Sequence, residues 1–284
     1  MQFQLVYMMV KELTPILDIK GVAVSRSGKL VLKDIDLKVA KGEFIGLVGP
    51  NGGGKSTLLL SILGILKLQQ GTIKIYGENP KARSIMGRIG WVSQAAAVMP
   101  KNIRITVREL IQLGTLNSRN MYWWRTATLR EKVEKAIKMV GLEHVADSDI
   151  ARLSGGQRQR AVIGRALASD AEFILMDEPL VGIDRQSRNS LLKLLDSLCH
   201  EQDKTILMVS HDLAAIRQTA HRMIYLEEAI RFDGHTDEFP DLATLADLRG
   251  IKPVHAVKAS VWGDSTAESI PIEQDDQAES NKEE

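Results

Sequence analysis

The chain has 284 residues, of which 44% are hydrophobic, 26% charged and 5% aromatic, an ordinary globular composition that excludes a disordered, collagen-like or coiled-coil chain. That length allows two fused subdomains or two small domains. The formal net charge is +1, but Asp264 to Glu284 holds eight acidic residues against Lys282, so −7 sits there and +8 on residues 1–263.

Residues 264–284 have too few large apolar side chains to offset the entropy of ordering and read as an acidic disordered tail, residues 241–263 as a C-terminal extension. Lys and Arg elsewhere are scattered without a nucleic-acid signature, so no nucleic-acid partner is expected. The single Cys199 excludes a disulfide framework and a cysteine zinc site, and fits a reducing cytoplasmic compartment. The longest apolar run, Leu58 to Leu66, is broken by Ser61 and Gly64 and is far shorter than a bilayer span of about 20 residues.

Residues 1–14 read as an N-terminal extension whose apolar part, Met1 to Val10, lacks the basic start and small-residue cleavage pattern of a signal peptide, and Met8 or Met9 is an alternative start. Ile16 to Val24 and Leu30 to Val39 read as antiparallel strands around a turn at Ser25–Gly28. Lys41-Gly42-Glu43 then leads into Phe44 to Val48, a short buried strand.

The next residues, Gly49-Pro50-Asn51-Gly52-Gly53-Gly54-Lys55-Ser56-Thr57, fit G-x-x-x-x-G-K-[ST] between a buried strand and a helical run, Thr57 to Leu66. Glycines let several backbone N–H groups turn inward around a phosphate, where a Cβ would clash. The helix N-terminus adds partial positive charge, Lys55 a full one toward the β- and γ-phosphates, and the Ser56 hydroxyl is short enough to ligate Mg²⁺.

Phe173 to Met176 is an apolar strand ending in Asp177-Glu178, which puts two carboxylates at the carboxyl edge of a parallel sheet. Asp177 suits the Mg²⁺ ion through a ligated water, and Glu178 suits the water that attacks the γ-phosphate. An Asp-Glu pair alone is equally a helix cap or surface charge; the phosphate loop gives it weight. His211 closes the strand Thr205 to Ser210 in the same way and can hydrogen-bond the γ-phosphate. His144, His200, His221, His235 and His255 sit in polar contexts and are expected to face solvent.

Leu153-Ser154-Gly155-Gly156-Gln157-Arg158-Gln159-Arg160, between these motifs, resembles the signature of ATP-binding cassette (ABC) ATPases. Gln94 after the strand Ile89 to Ser93, Val181-Gly182-Ile183-Asp184 and Ser210-His211-Asp212 are similar to the family's Q-loop, D-loop and switch histidine, so the resemblance runs over residues 16–235. It implies a P-loop NTPase α/β fold: a mainly parallel sheet with helices, an antiparallel β subdomain and an inserted helical subdomain at residues 95–165, within a cassette at residues 15–240. It also implies ATP and Mg²⁺ as ligands, with Gln94 joining Ser56 and Asp177 at the ion.

The family's cassettes pair head to tail, which assigns Ser154, Gly155, Gly156, Gln157 and Asp184 to the nucleotide held by the partner of a homodimer. One departure concerns the base: many such cassettes stack adenine on an aromatic residue in the first turn, where this chain has Arg26, whose planar guanidinium can stack or simply face solvent.

Thr106 to Leu113 and Leu129 to Val140 have helical apolar spacing. Trp91, Ala95 to Ala97, Val98 and Met99 are the expected wall of a groove for a partner helix, and Met121-Tyr122-Trp123-Trp124 is either a partner contact or part of a small core. A lone cassette resembles the separate subunits of prokaryotic importers, peripheral on the cytoplasmic face of the membrane, with two permease subunits and an extracellular substrate-binding protein. Glu178 to Asp184, the stretch near Trp123-Trp124-Arg125 and Met208 to Leu213 are most similar to zinc and manganese importer cassettes. Ferric-chelate, haem or cobalamin importer cassettes are the alternative, and a soluble non-transport ABC ATPase would keep the same ATP residues.

Overall fold

In a computed structural model of the protein, residues 15–94, 104–116 and 127–240 are described. Two sheets and their helices share these residues. Strands β1 (Leu17–Arg26), β2 (Lys29–Val39) and β4 (Gln70–Ile75) form an antiparallel sheet in the order β2-β1-β4. Ser27 and Gly28 both have positive φ (50° and 79°), as a two-residue hairpin turn matched to strand twist requires, and this turn sets Arg26 opposite Lys29.

The larger sheet has the order β5-β6-β7-β3-β8-β9, from β3 (Phe44–Val48), β5 (Ile89–Val92), β6 (Phe173–Asp177), β7 (Thr205–Val209), β8 (Arg222–Glu227) and β9 (Ala229–His235). Every neighbouring pair is parallel except β8 with β9. Strands β3, β6 and β7 are buried at every residue, which is why they read as unbroken apolar runs rather than alternating ones.

Helix α1 (Lys55–Ile62) lies between the sheets. One core joins Leu17, Ile19, Leu32 and Ile35 of the small sheet to Leu58 and Ile62 of α1 and to Ile45, Leu175, Leu207 and Ile224 of the large one. Each such side chain contributes roughly 1.5–3 kcal/mol on burial. The helix stops before Leu66, where the apolar run ends. Gly64 turns left-handed (φ 68°), its N–H donates to the Ser61 carbonyl (2.9 Å) and that of Ile65 to the Leu60 carbonyl (3.0 Å), a Schellman cap.

Helices α2 (Val107–Gln112) and α3 (Ala127–Met139) pack on α4 (Gly155–Ala168), which in turn packs on β5 and on α5 (Arg185–His200). The approach of α4 is close: a Cβ on Gly164 would meet the Ile111 side chain at 2.8 Å, and one on Gly114 the Arg165 carbonyl oxygen at 1.8 Å. Helix α6 (Leu213–Thr219) completes the set.

Several expectations change. Strand β4 was not anticipated, and the helical run placed at Thr57–Leu66 is Lys55–Ile62. His221 does not simply face solvent: its Nδ1 accepts the Phe44 N–H (3.3 Å) and its Nε2 lies 3.1 Å from His200 Nε2. Trp91 is half-buried against the central core. Ala95 to Met99, Met121 to Trp124, the N-terminal extension and everything from residue 241 on lie outside the described residues. Among the described residues no helix is long and apolar enough to cross a membrane.

Candidate functional site

The phosphate loop leaves the carboxyl end of β3 and turns into α1. It is pinned from behind by β8: Cβ atoms on Gly49 and Gly53 would sit 2.1 and 2.8 Å from the Leu226 carbonyl oxygen, and the Glu228 N–H donates to the Gly53 carbonyl (3.1 Å). Gly54, at φ 100°, begins α1, and a Cβ there would lie 2.5 Å from Leu32 Cδ2. Backbone conformation and space both demand glycine at Gly54.

Lys55 is buried, and its Nζ donates to the carbonyls of Gly49 and Pro50 at 2.9 Å each. Burial pulls its pKa below the ordinary lysine value, while the carboxylates of Glu178 and Asp177 oppose that fall. Ser56 faces outward and Thr57 is buried at the start of the helix.

Asp177 is the last residue of β6 and only 9% exposed. Glu178 has a left-handed backbone (φ 52°), a conformation that costs a non-glycine residue about 1–3 kcal/mol. Two hydrogen bonds hold it there: its N–H donates to the Val209 carbonyl (3.0 Å) at the end of β7, and its carbonyl accepts from the Val181 N–H (3.3 Å). The turn aims the side chain at His211, whose Nδ1 lies 2.8 Å from Glu178 Oε2. An imidazole Nδ1–H donating to that carboxylate leaves Nε2 as the atom available to a ligand.

Gln94 follows β5, and because Val92 pairs with Met176 it stands beside the Asp177–Glu178 edge. Arg26, Asn51, Gly52, Gly54, Lys55, Ser56, Thr57, Gln94, Asp177, Glu178 and His211 all line one cavity of about 580 Å³. Gly49, Pro50 and Gly53 form the loop's backbone behind it. Val31, Val181 and Val209 also line the cavity, and the sequence reading had not singled them out for it. Val181 is an exposed apolar side chain three residues after Glu178, and its place at the start of the Val181-Gly182-Ile183-Asp184 segment is the sequence signal that could have marked it. The cavity brings the cations of Lys55 and Arg26, a helix N-terminus and the His211 imidazole together with the side-chain oxygens of Ser56, Gln94, Asp177 and Glu178, a set suited to polyphosphate and a hard cation.

Ser154, Gly155, Gly156, Gln157 and Asp184 do not line this cavity. Ser154 caps α4 in a capping box: its Oγ accepts the Gln157 N–H (3.2 Å), and Gln157 Oε1 accepts the Ser154 N–H (3.1 Å), so the glutamine side chain serves its own helix. Gly156 is pressed on α5, where a Cβ would come 2.4 Å from Ser187 Cβ, and Gly155 lies against the Gly182 carbonyl. Asp184 caps α5 by accepting the Ser187 N–H (2.9 Å), and its hydrogen bonds from Ser187 hold its carboxyl below the usual range. Ser154, Gly155 and Asp184 are exposed, forming a second surface of the chain.

Comparison with known proteins agrees with this geometry. The family described as "ABC transporter" matches residues 32–181, from β2 through both nucleotide motifs. The zinc uptake system ATP-binding protein ZurA of Listeria monocytogenes is 36% identical over 79% of this chain and 87% of its own. The manganese transport system ATP-binding protein MntB of Halalkalibacterium halodurans is 33% identical over 77% and 85%. Among solved structures, a dimeric ATP-binding cassette in a post-hydrolysis state, bound to ADP and Pi, is 28% identical and superposes with a TM-score of 0.64 over 78% of this chain and 100% of that one. The mainly parallel sheet with its antiparallel and helical additions is the fold of these cassettes, and the chain belongs to the ABC transporter family as one of its ATP-hydrolysing cassettes.

Proposed function

We propose that the chain energises uptake of a divalent metal ion, zinc or manganese, through separate membrane permease subunits. The observation that carries the ATPase half is the convergence of Lys55, Asp177, Glu178 and His211 on one cavity. The cargo half rests on the zinc and manganese systems named for relatives that share about a third of its residues along most of its length.

In this reading ATP lies along the loop Gly49 to Thr57, with Lys55 Nζ moving from the Gly49 and Pro50 carbonyls to the β- and γ-phosphates. Arg26 lies beside the base. Ser56, Gln94 and Asp177 are hydroxyl, amide and carboxylate oxygens on one cavity, a donor set that fits Mg²⁺. The bound ion supplies charge neutralisation of the phosphate oxygens. Glu178 orients the attacking water and accepts its proton, while His211, fixed through Nδ1, points Nε2 at the γ-phosphate.

The surface at the exposed Ser154, Gly155 and Asp184, with Gly156 and Gln157 in the same helix N-terminus behind it, completes the site of a second copy, so the working unit is a homodimer on the cytoplasmic face of the membrane. Two permease subunits and an extracellular substrate-binding protein complete the system. The organisation is a cassette at residues 15–240 with its helical subdomain inserted. Elemental analysis of metal-limited cells carrying either the native chain or Glu178→Gln tests the cargo. A selective fall in zinc or manganese is expected, and unchanged levels of both would overturn that assignment.

A further inference from the structure

Helices α5 and α6 are joined beside His211 by a contact that the nucleotide motifs do not include. Arg188, on the first turns of α5, directs Nη1 at Asp212 Oδ2. Asp212 is divided between two tasks: Oδ1 accepts the Ala215 N–H (3.0 Å) as the cap of α6, and Oδ2 takes the guanidinium. Its own N–H donates to Ser210 Oγ (3.1 Å), so both backbone neighbours of His211 are held. His211 needs this support. Its side chain is 68% exposed, and Glu178 is the partner that the structure gives it.

At its other end Arg188 is one helical turn from Asp184, whose carbonyl accepts the Arg188 N–H (2.9 Å). The guanidinium has Asp212 as its hydrogen-bond partner among the described residues, and its Nε is buried without an acceptor. Leaving Nε unsatisfied carries a desolvation cost, and the Nη1 contact with Asp212 is the hydrogen bond that holds the side chain against it. A path therefore runs along the α5 backbone from Asp184 to Arg188, through the Arg188 side chain to Asp212, along the chain to His211 and through its side chain to Glu178.

We infer that Arg188 is a positioning residue for hydrolysis: through Asp212 it sets the backbone of His211, and so links the surface at Asp184 to the Glu178–His211 pair. This rests on the reading of His211 and Glu178 as the hydrolytic pair. A helix staple alone would stabilise the fold without affecting turnover; a positioning role lowers turnover while ATP binding stays intact, because neither residue touches the phosphate loop.

The test compares Arg188→Ala, Arg188→Lys, Asp212→Asn and His211→Ala in the assembled transporter, with ATP affinity, ATPase kinetics and thermal unfolding measured for each. Asparagine keeps the α6 cap and removes the charge. Arg188→Ala and Asp212→Asn are each expected to lower kcat about tenfold or more with KM for ATP changed by less than about twofold, and Arg188→Lys to recover part of the loss. Wild-type kcat in Asp212→Asn, or a loss in Arg188→Ala that Asp212→Asn does not share, overturns the inference. If Arg188→Ala fails to fold, Asp212→Asn decides alone. Wild-type turnover in His211→Ala would instead sink the hydrolytic reading itself, whichever way Arg188 behaves.

Discussion

Glu178 Oε2 and His211 Nδ1 lie 2.8 Å apart, bridging the carboxyl ends of two neighbouring strands, β6 and β7. The carboxylate is 13% exposed and the imidazole 68%, so the catalytic candidate is sheltered and the histidine stands at the rim. His211→Ala should lower kcat about 100-fold while ATP still binds, as measured by steady-state hydrolysis beside equilibrium nucleotide binding. A loss of affinity with unchanged kcat would assign His211 to binding instead.

Lys55 makes the opposite prediction. Its Nζ is held by the Gly49 and Pro50 carbonyls inside the loop, poised where phosphate charge would gather. Lys55→Ala should weaken ATP binding at least about tenfold, since charge-assisted hydrogen bonds are the strong ones. Titration with a fluorescent ATP analogue reads this directly.

The exposed N-terminus of α4 does not line the chain's own cavity, which gives the two-chain site a clean signature. With Glu178→Gln to block turnover, ATP should drive the chain into dimers on size exclusion. Adding Ser154→Arg should return it to monomers that still bind ATP. Loss of ATP binding by the monomer would place Ser154 in its own chain's site.

Gly114 tests the helical layer without touching the nucleotide. An alanine Cβ would fall 1.8 Å from the Arg165 carbonyl oxygen, and neither backbone can yield cheaply. Gly114→Ala should therefore cost about 1–3 kcal/mol, seen as a lower denaturant midpoint with an unchanged slope.

How much of this was legible in the sequence follows from how local each signal is. The phosphate loop, Asp177-Glu178 and His211 each end a buried apolar strand, so their spacing alone put them at one sheet edge. Strand β4 escaped because four of its six residues, Gln70, Gly71, Thr72 and Lys74, are exposed, Gly71 and Lys74 are depleted in strands, and its identity depends on pairing with β1. The end of α1 was misplaced because apolar residues continue past Gly64, whose left-handed cap overrode them. Val31 and Val209 reach the cavity, and Arg188 reaches Asp212, only through tertiary packing that no local pattern encodes.

The central claim, that this cassette hydrolyses ATP with Glu178 at the attacking water, is tested most directly by ATP turnover of the assembled transporter with Glu178→Gln. Glutamine preserves shape and removes the base. The account predicts turnover reduced about 10²- to 10⁴-fold with ATP retained in a stable dimer. Turnover at the wild-type rate would contradict it.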